Sequence, residues 1–320
     1  MTATPQGIHH VTAIAGDAQR NLDFYSGLLG LRLVKRTVNF DDPGTYHLYY
    51  GDGEGHPGTI MTFFPWKGAL RGALGVGQTG TTAFSVPEGS LGFWLERLGA
   101  AGVPVEDPKI RFDEEVIVFA DPDGLRLELV ADRDAADRPS WQSGPVASQH
   151  AIRSFYGVSL IESSLEATAD LLTSRMGFEK THSEGARHRF EAANREPASR
   201  LDVLVLPNEG FGQMGVGSVH HVAFRIAGDK QQDRWRQEAL EAGLQVTGTR
   251  DRTYFRSIYF REPGGVLFEI ATDPPGFSVD ETLAGLGSSL KLPGWLEPQR
   301  AAIERTLPPL HLPTGEAVSS

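Results

Sequence analysis

The sequence predicts an α+β fold of four βαβββ modules assembled into two curved-sheet domains, and two internal matches predict it. The first joins Ile8-His9-His10-Val11-Thr12-Ala13-Ile14 to Val219-His220-His221-Val222-Ala223-Phe224. Each is an alternating strand that runs through a Gly-Asp pair into a helical pattern. The second joins Phe119-Ala120-Asp121-Pro122-Asp123-Gly124 and the run to Glu128 with Phe260-Arg261-Glu262-Pro263-Gly264-Gly265 and the run to Glu269. Both read as strand, tight turn and strand, with proline presetting φ and glycine supplying a positive φ.

The modules follow in order. Module one (1–67) has strands near 8–14, 32–40, 45–51 and 58–64; its helix carries Leu22, Tyr25, Leu28 and Leu29 at helical spacing and ends at Gly30. Module two (79–131) has its helix at 89–101, and module three (148–207) at 164–176. Module four (217–273) has a helix marked by Trp235, Ala239 and Leu240 and stopped by Gly243. The glycine-rich stretch 68–80 and the polar stretch 131–145 read as linkers. The tail (274–320) carries one amphipathic helix and an end expected to fray.

Composition narrows the chemistry. Among 320 residues, 41 acidic side chains against 30 basic ones give a net charge of −11, and no long basic run is present. Nucleic acid is therefore not an expected partner. No apolar run reaches the roughly 18–20 residues of a bilayer span, and the first residues resemble no secretory signal, so a cytoplasmic protein is expected. Cysteine is absent, which removes disulfides, thiol nucleophiles and thiolate metal sites. Any metal must be held by histidine or oxygen.

Strand alternation selects the ligands. His10, Thr12 and Ile14 share one face of the first strand, and His221, Ala223 and Arg225 one face of its counterpart. The more apolar opposite faces should pack on the helices. In the last strand Val266, Phe268 and Ile270 pack, leaving Leu267, Glu269 and Ala271 inward. His10, His221 and Glu269 thus point into one cavity, as the two imidazoles and one carboxylate of a non-haem Fe(II) facial triad. Glu128 holds the equivalent place in module two, but neither Thr82–Val86 nor Phe155–Leu160 offers a histidine, and His150 comes too early. Modules one and four should form the metal site, and modules two and three should pair without one.

The repeat and element order resemble the vicinal oxygen chelate (glyoxalase/extradiol dioxygenase) superfamily. Within it, the run from His9 to Asp52, then GHPGTIMTFFPW, VHHVAFR, RDRTYFRSIYFREPGGVLFEIATD and LKLPGWLEPQR are similar to the hydroquinone ring-cleaving dioxygenases of the 2,6-dichlorohydroquinone 1,2-dioxygenase type. The likeness spans about 7–310. It implies a mononuclear Fe(II) enzyme (with Mn(II) in some relatives) that takes a small aromatic diol and O2, acts in aromatic catabolism or quinone detoxification, and is compatible with a homo-oligomer. By position it makes His10, His221 and Glu269 the metal ligands and places His9, Thr12, His220, Arg252 and Tyr259 behind those ligands or in the substrate pocket.

The residues themselves leave these last five roles open. Tyr259 can donate to a bound phenolate or line the barrel. Arg252 can stabilise an anionic ring oxygen or face solvent at a strand start. Thr12 can support a ligand or simply fill a strand. An ideal strand turns His9 and His220 away from the metal, whereas a bulge returns them, and His220 could then exchange protons with the substrate. Tyr46, His47, Tyr49 and Tyr50 can line a wall or merely alternate. Rival readings are a catechol-type extradiol dioxygenase, a glyoxalase-like isomerase and a metal-free binding protein. The isomerase would want a second carboxylate, and Thr59–Phe63 contains none.

Overall fold

The computed structural model describes residues 4–312. Module one supplies β1 (Ile8–Ala15), α1 (Ala18–Leu22), β2 (Arg32–Asn39), β3 (Asp42–Gly51) and β4 (Ile60–Pro65). Module two supplies β5 (Gln78–Pro87), α2 (Leu91–Ala100), β6 (Lys109–Arg111), β7 (Glu114–Ala120) and β8 (Arg126–Asp132). Module three supplies β9 (Ser154–Glu162), α3 (Glu166–Ser174), β10 (Phe178–Glu184), β11 (Arg187–Ala192) and β12 (Arg200–Val205). Module four supplies β13 (Val219–Ile226), α4 (Asp229–Glu241), β14 (Arg250–Asp251), β15 (Arg256–Arg261) and β16 (Leu267–Thr272), and the tail ends in α5 (Arg300–Thr306). The fraying expected of the terminus falls largely on 313–320, outside the described residues.

Two curled eight-stranded sheets result, ordered β14-β15-β16-β13-β1-β4-β3-β2 and β10-β11-β12-β9-β5-β8-β7-β6. Within a module the first strand lies parallel to the last, and between modules β1 joins β13, and β5 joins β9, antiparallel. Sheet one is therefore modules one and four, and sheet two modules two and three.

Alternation sorts each strand between two cores. Val222, Phe224, Ile226, Phe268 and Ile270 join Trp94 and Trp235 in the large core on the helical side. Burying each such side chain contributes about 1.5–3 kcal/mol. Tyr49, Ile60, Ala223, Phe255 and Ala271 form a smaller cluster on the inner face of sheet one, closed by Phe277 and Leu286 of the tail.

Three details differ from the sequence expectation. The first helix does not run on to Leu29 as α-helix; from Asp23 to Leu28 it widens into a π-helical turn. The glycine-rich linker is not free-standing: it pairs with 211–216 through bridges at Arg71–Val216, Ala73–Gln213 and Val76–Phe211. A Cβ at Gly75 or Gly215 would collide with the opposing backbone, so glycine is what allows the crossing. The tail is more than one helix. Asp280 and Glu281 pair with the fully buried Lys35 ammonium, and Arg32 donates to Ala284 O, which fastens the tail over the open edge of sheet one.

Candidate metal centre

Three strands meet at the centre of sheet one. β1 carries His10, β13 carries His221 and β16 carries Glu269, with Thr12 registered on His221 and Ala223 on Glu269. All three side chains are buried. His10 Nε2 and His221 Nε2 lie 3.3 Å apart, and Glu269 Oε2 lies 3.4 Å from the first and 2.9 Å from the second.

That triangle fits one divalent cation. Bonds of about 2.1 Å to three mutually perpendicular ligands require ligand–ligand edges of about 3.0 Å. Glu269 Oε2 has no hydrogen-bond partner, and a buried carboxylate oxygen left so is costly unless a cation meets it. Its other oxygen accepts from Ser257 Oγ. Although burial opposes the charge, His10 and His221 hold this carboxyl well below its usual range, so it is anionic.

The first histidine of each pair orients the second. His9 Nδ1 lies 2.9 Å from His10 Nδ1, and His220 Nδ1 lies 2.8 Å from His221 Nδ1. With a cation in the centre and the proton on Nδ1 of His10 and of His221, each Nε2 lone pair would face the cation and each neighbouring histidine would accept. Irregular register between Ile8 and His10 and between Thr12 and Ala13 provides the turn that strict alternation forbids. Burial pushes His9 well down and His220 down to about 3, with the adjacent histidine adding to both shifts, so both are neutral.

The open side faces a cavity of about 220 Å³. His220, Arg252 and Tyr259 line it, and Phe64, Trp66 and Phe255 give it apolar walls. Arg252 Nε donates to the Tyr259 hydroxyl at 3.2 Å and its Nη1 reaches Asp41 Oδ2 at 3.1 Å. Burial pushes the Tyr259 phenol up, with Glu269 adding to the effect, so it keeps its proton.

The remaining predicted residues sit elsewhere. His9 is buried against Phe255 and does not line the cavity. Thr12 does not support a histidine; its hydroxyl meets Thr62 Oγ1 at 3.0 Å. Arg225, placed by alternation on the face of His221, pairs with Asp273 and does not reach the centre. Asp41 and Phe255 join the site with no sequence signal, since both come from irregular segments. Glu128, by contrast, is held by both Arg111 terminal nitrogens at 2.6 Å, and only about 10 Å³ of space remains beside it.

The chain is similar to known proteins along nearly its whole length. The profile of the Glyoxalase/Bleomycin resistance protein/Dioxygenase superfamily matches residues 7–129 and 156–270. A Bacillus subtilis protein named "Putative ring-cleaving dioxygenase MhqO" is 48% identical over 312 residues, covering 98% of this chain and 99% of its own. The "Chlorohydroquinone/hydroquinone 1,2-dioxygenase" of Sphingobium indicum is 34% identical over 314 residues, covering 94% and 96%. A crystal structure of a "putative dioxygenase" from Bacillus subtilis superposes with a TM-score of 0.92 at 47% identity, over 97% of this chain and 99% of that one. Glyoxalase I from Zea mays shares the fold, with a TM-score of 0.64 at 14% identity over 83% and 92%.

Proposed function

The chain belongs to the Glyoxalase/Bleomycin resistance protein/Dioxygenase superfamily, and from that premise we propose that it opens para-dihydroxylated aromatic rings with O2, using Fe(II). It is a ring-cleaving dioxygenase by relationship to proteins of that name along nearly its whole length. The observation that carries the proposal is the triangle of His10 Nε2, His221 Nε2 and Glu269 Oε2, with the cavity on its free side. Two imidazoles and one carboxylate with adjacent open positions suit ferrous oxygenase chemistry, and Mn(II) accepts the same donors.

Fe(II), when bound, supplies adjacent places for O2 and a ring oxygen and a path for electrons between them. The chain supplies the frame. Neutral His220, accepting at Nδ1, carries its proton on Nε2 and offers a donor to oxygen in the cavity. Tyr259 accepts from Arg252 and keeps its own O–H to donate. Arg252 places positive charge where negative charge grows on oxygen, in a pocket that Phe64, Trp66 and Phe255 keep poor in water. His9 orients His10 without touching substrate.

A glyoxalase-like isomerase would want a second carboxylate, and the inward residues of β4 (Ile60, Thr62 and Phe64) provide none. The test is anaerobic loading with Fe(II), then O2 uptake with hydroquinone, methyl- and chlorohydroquinone and catechol. One O2 consumed per ring opened, with para-diols preferred, is the expected result. Rapid turnover of catechol alone would replace this reading with a catechol-type one.

A further inference from the structure

A second polar line crosses the same cavity wall, built from side chains other than the metal ligands. On the inner face of β3 and β4, the Tyr49 hydroxyl lies 2.8 Å from His47 Nδ1, and His47 Nε2 lies 2.8 Å from Thr62 Oγ1. Thr62 Oγ1 lies 3.0 Å from Thr12 Oγ1 on β1. Tyr49, Thr62 and Thr12 are buried, and both Tyr49 and His47 line the cavity. Register makes the line: Thr62 is paired with Tyr49 on one side and with Thr12 on the other.

We propose that Tyr49, held by His47, receives the ring hydroxyl farthest from the metal and thereby sets the preference for para-diols; this rests on the ring-cleaving reading above. Hydroxyls of one ring that lie para cannot both reach one cation, so the far one needs a partner in the protein. Of the other polar side chains of the wall, Arg252 donates to Tyr259 and to Asp41, and Asn39 Oδ1 accepts from the Asp41 amide. Tyr259, paired with Glu269 across the strands, and His220, beside His221, keep their free donors for oxygen next to the metal ligands. Burial keeps His47 neutral and Tyr49 protonated. A neutral imidazole has one acceptor and one donor nitrogen. Two polarities give every bond a donor; in the one where Tyr49 donates to Nδ1, Nε2–H donates to Thr62 and Thr62 donates to Thr12. That polarity ends at a phenol oxygen whose remaining lone pairs no described side chain meets. It is an acceptor waiting for a neutral O–H.

A buried acceptor of this kind discriminates by what happens when the donor is missing. Hydroquinone and phenol differ by that one hydroxyl, so their anaerobic dissociation constants on the Fe(II)-loaded protein, measured by calorimetry without turnover, read the contact directly. The wild type is expected to bind hydroquinone about 10–100-fold more tightly than phenol. Tyr49→Phe should bring the ratio within about threefold of unity while leaving phenol binding unchanged. Thr62→Val, which removes the support of His47 without touching the cavity end, should give an intermediate ratio and serves if Tyr49→Phe does not fold. A wild-type ratio near one, or a ratio kept in Tyr49→Phe or in Thr62→Val, overturns the assignment. So does a ratio lost in Tyr259→Phe instead. If the wild type shows the ratio but consumes no O2 with hydroquinone, the dioxygenase reading fails and this contact stands.

Discussion

Glu128 and Glu269 occupy the same place in the two sheets and do opposite things. Each stands opposite an alanine on its parallel neighbour, Ala83 and Ala223, and opposite an inward residue of the antiparallel one, Val118 and Tyr259. Glu269 meets two imidazoles, whereas Glu128 meets the fork of Arg111. On the proposed ligand set, replacing Glu269, His10 or His221 by alanine should weaken metal binding more than about 100-fold and abolish turnover, since the cost exceeds that of losing a supporting partner. Glu128→Ala should leave metal content unchanged and lower stability by about 1–3 kcal/mol, because it leaves a partly buried guanidinium without its carboxylate. Metal analysis and urea unfolding separate the two outcomes; metal loss in Glu128→Ala would refute the distinction.

The histidine pairs give a subtler prediction. His9→Phe and His220→Phe keep the ring volume but remove the acceptor for Nδ1 of the ligand. Metal affinity should fall about 10–100-fold in each, read by chelator competition. Only His220→Phe should also slow turnover at saturating metal, because only His220 lines the cavity.

Arg252 binds with a fork that lysine cannot reproduce. Arg252→Lys should reduce kcat/KM about 10²–10³-fold with metal content intact. Asp41→Asn should cost far less, since Asp41 is 66% exposed and its pairing is screened by solvent. Equal losses in the two variants would show that the bridge across the cavity mouth, rather than charge inside it, is what matters.

Far from the site, Glu162 at the end of β9 is 1% exposed with neither oxygen hydrogen-bonded, and it faces Glu262. Burial, then repulsion from Glu262, pushes its carboxyl up to about 8. Below its ordinary value of 4.5, folded and unfolded chains hold this proton alike; above it, only the folded chain does. Stability should therefore decline as pH rises toward 8 and change no further once the folded carboxyl has ionised. Glu162→Gln should flatten that decline, raising the melting temperature by about 2–5 °C at pH 9 and little at pH 5. A parallel loss in wild type and variant would remove Glu162 as its source.

The sequence by itself determined the modular repeat, the pairing of modules and the inward set His10, His221 and Glu269. These follow from an alternation that a buried sheet face enforces locally, so they are written into period-two patterns. Only the tertiary structure decided that His9 and His220 turn toward their neighbours, because a bulge is a property of two paired strands and leaves no mark on either alone. It also decided that Lys35 lies beneath the tail, that Asp41 meets Arg252, and that Tyr49, His47, Thr62 and Thr12 form a line. Those contacts join residues whose separation along the chain carries no information about register, and register is fixed only when the whole sheet closes.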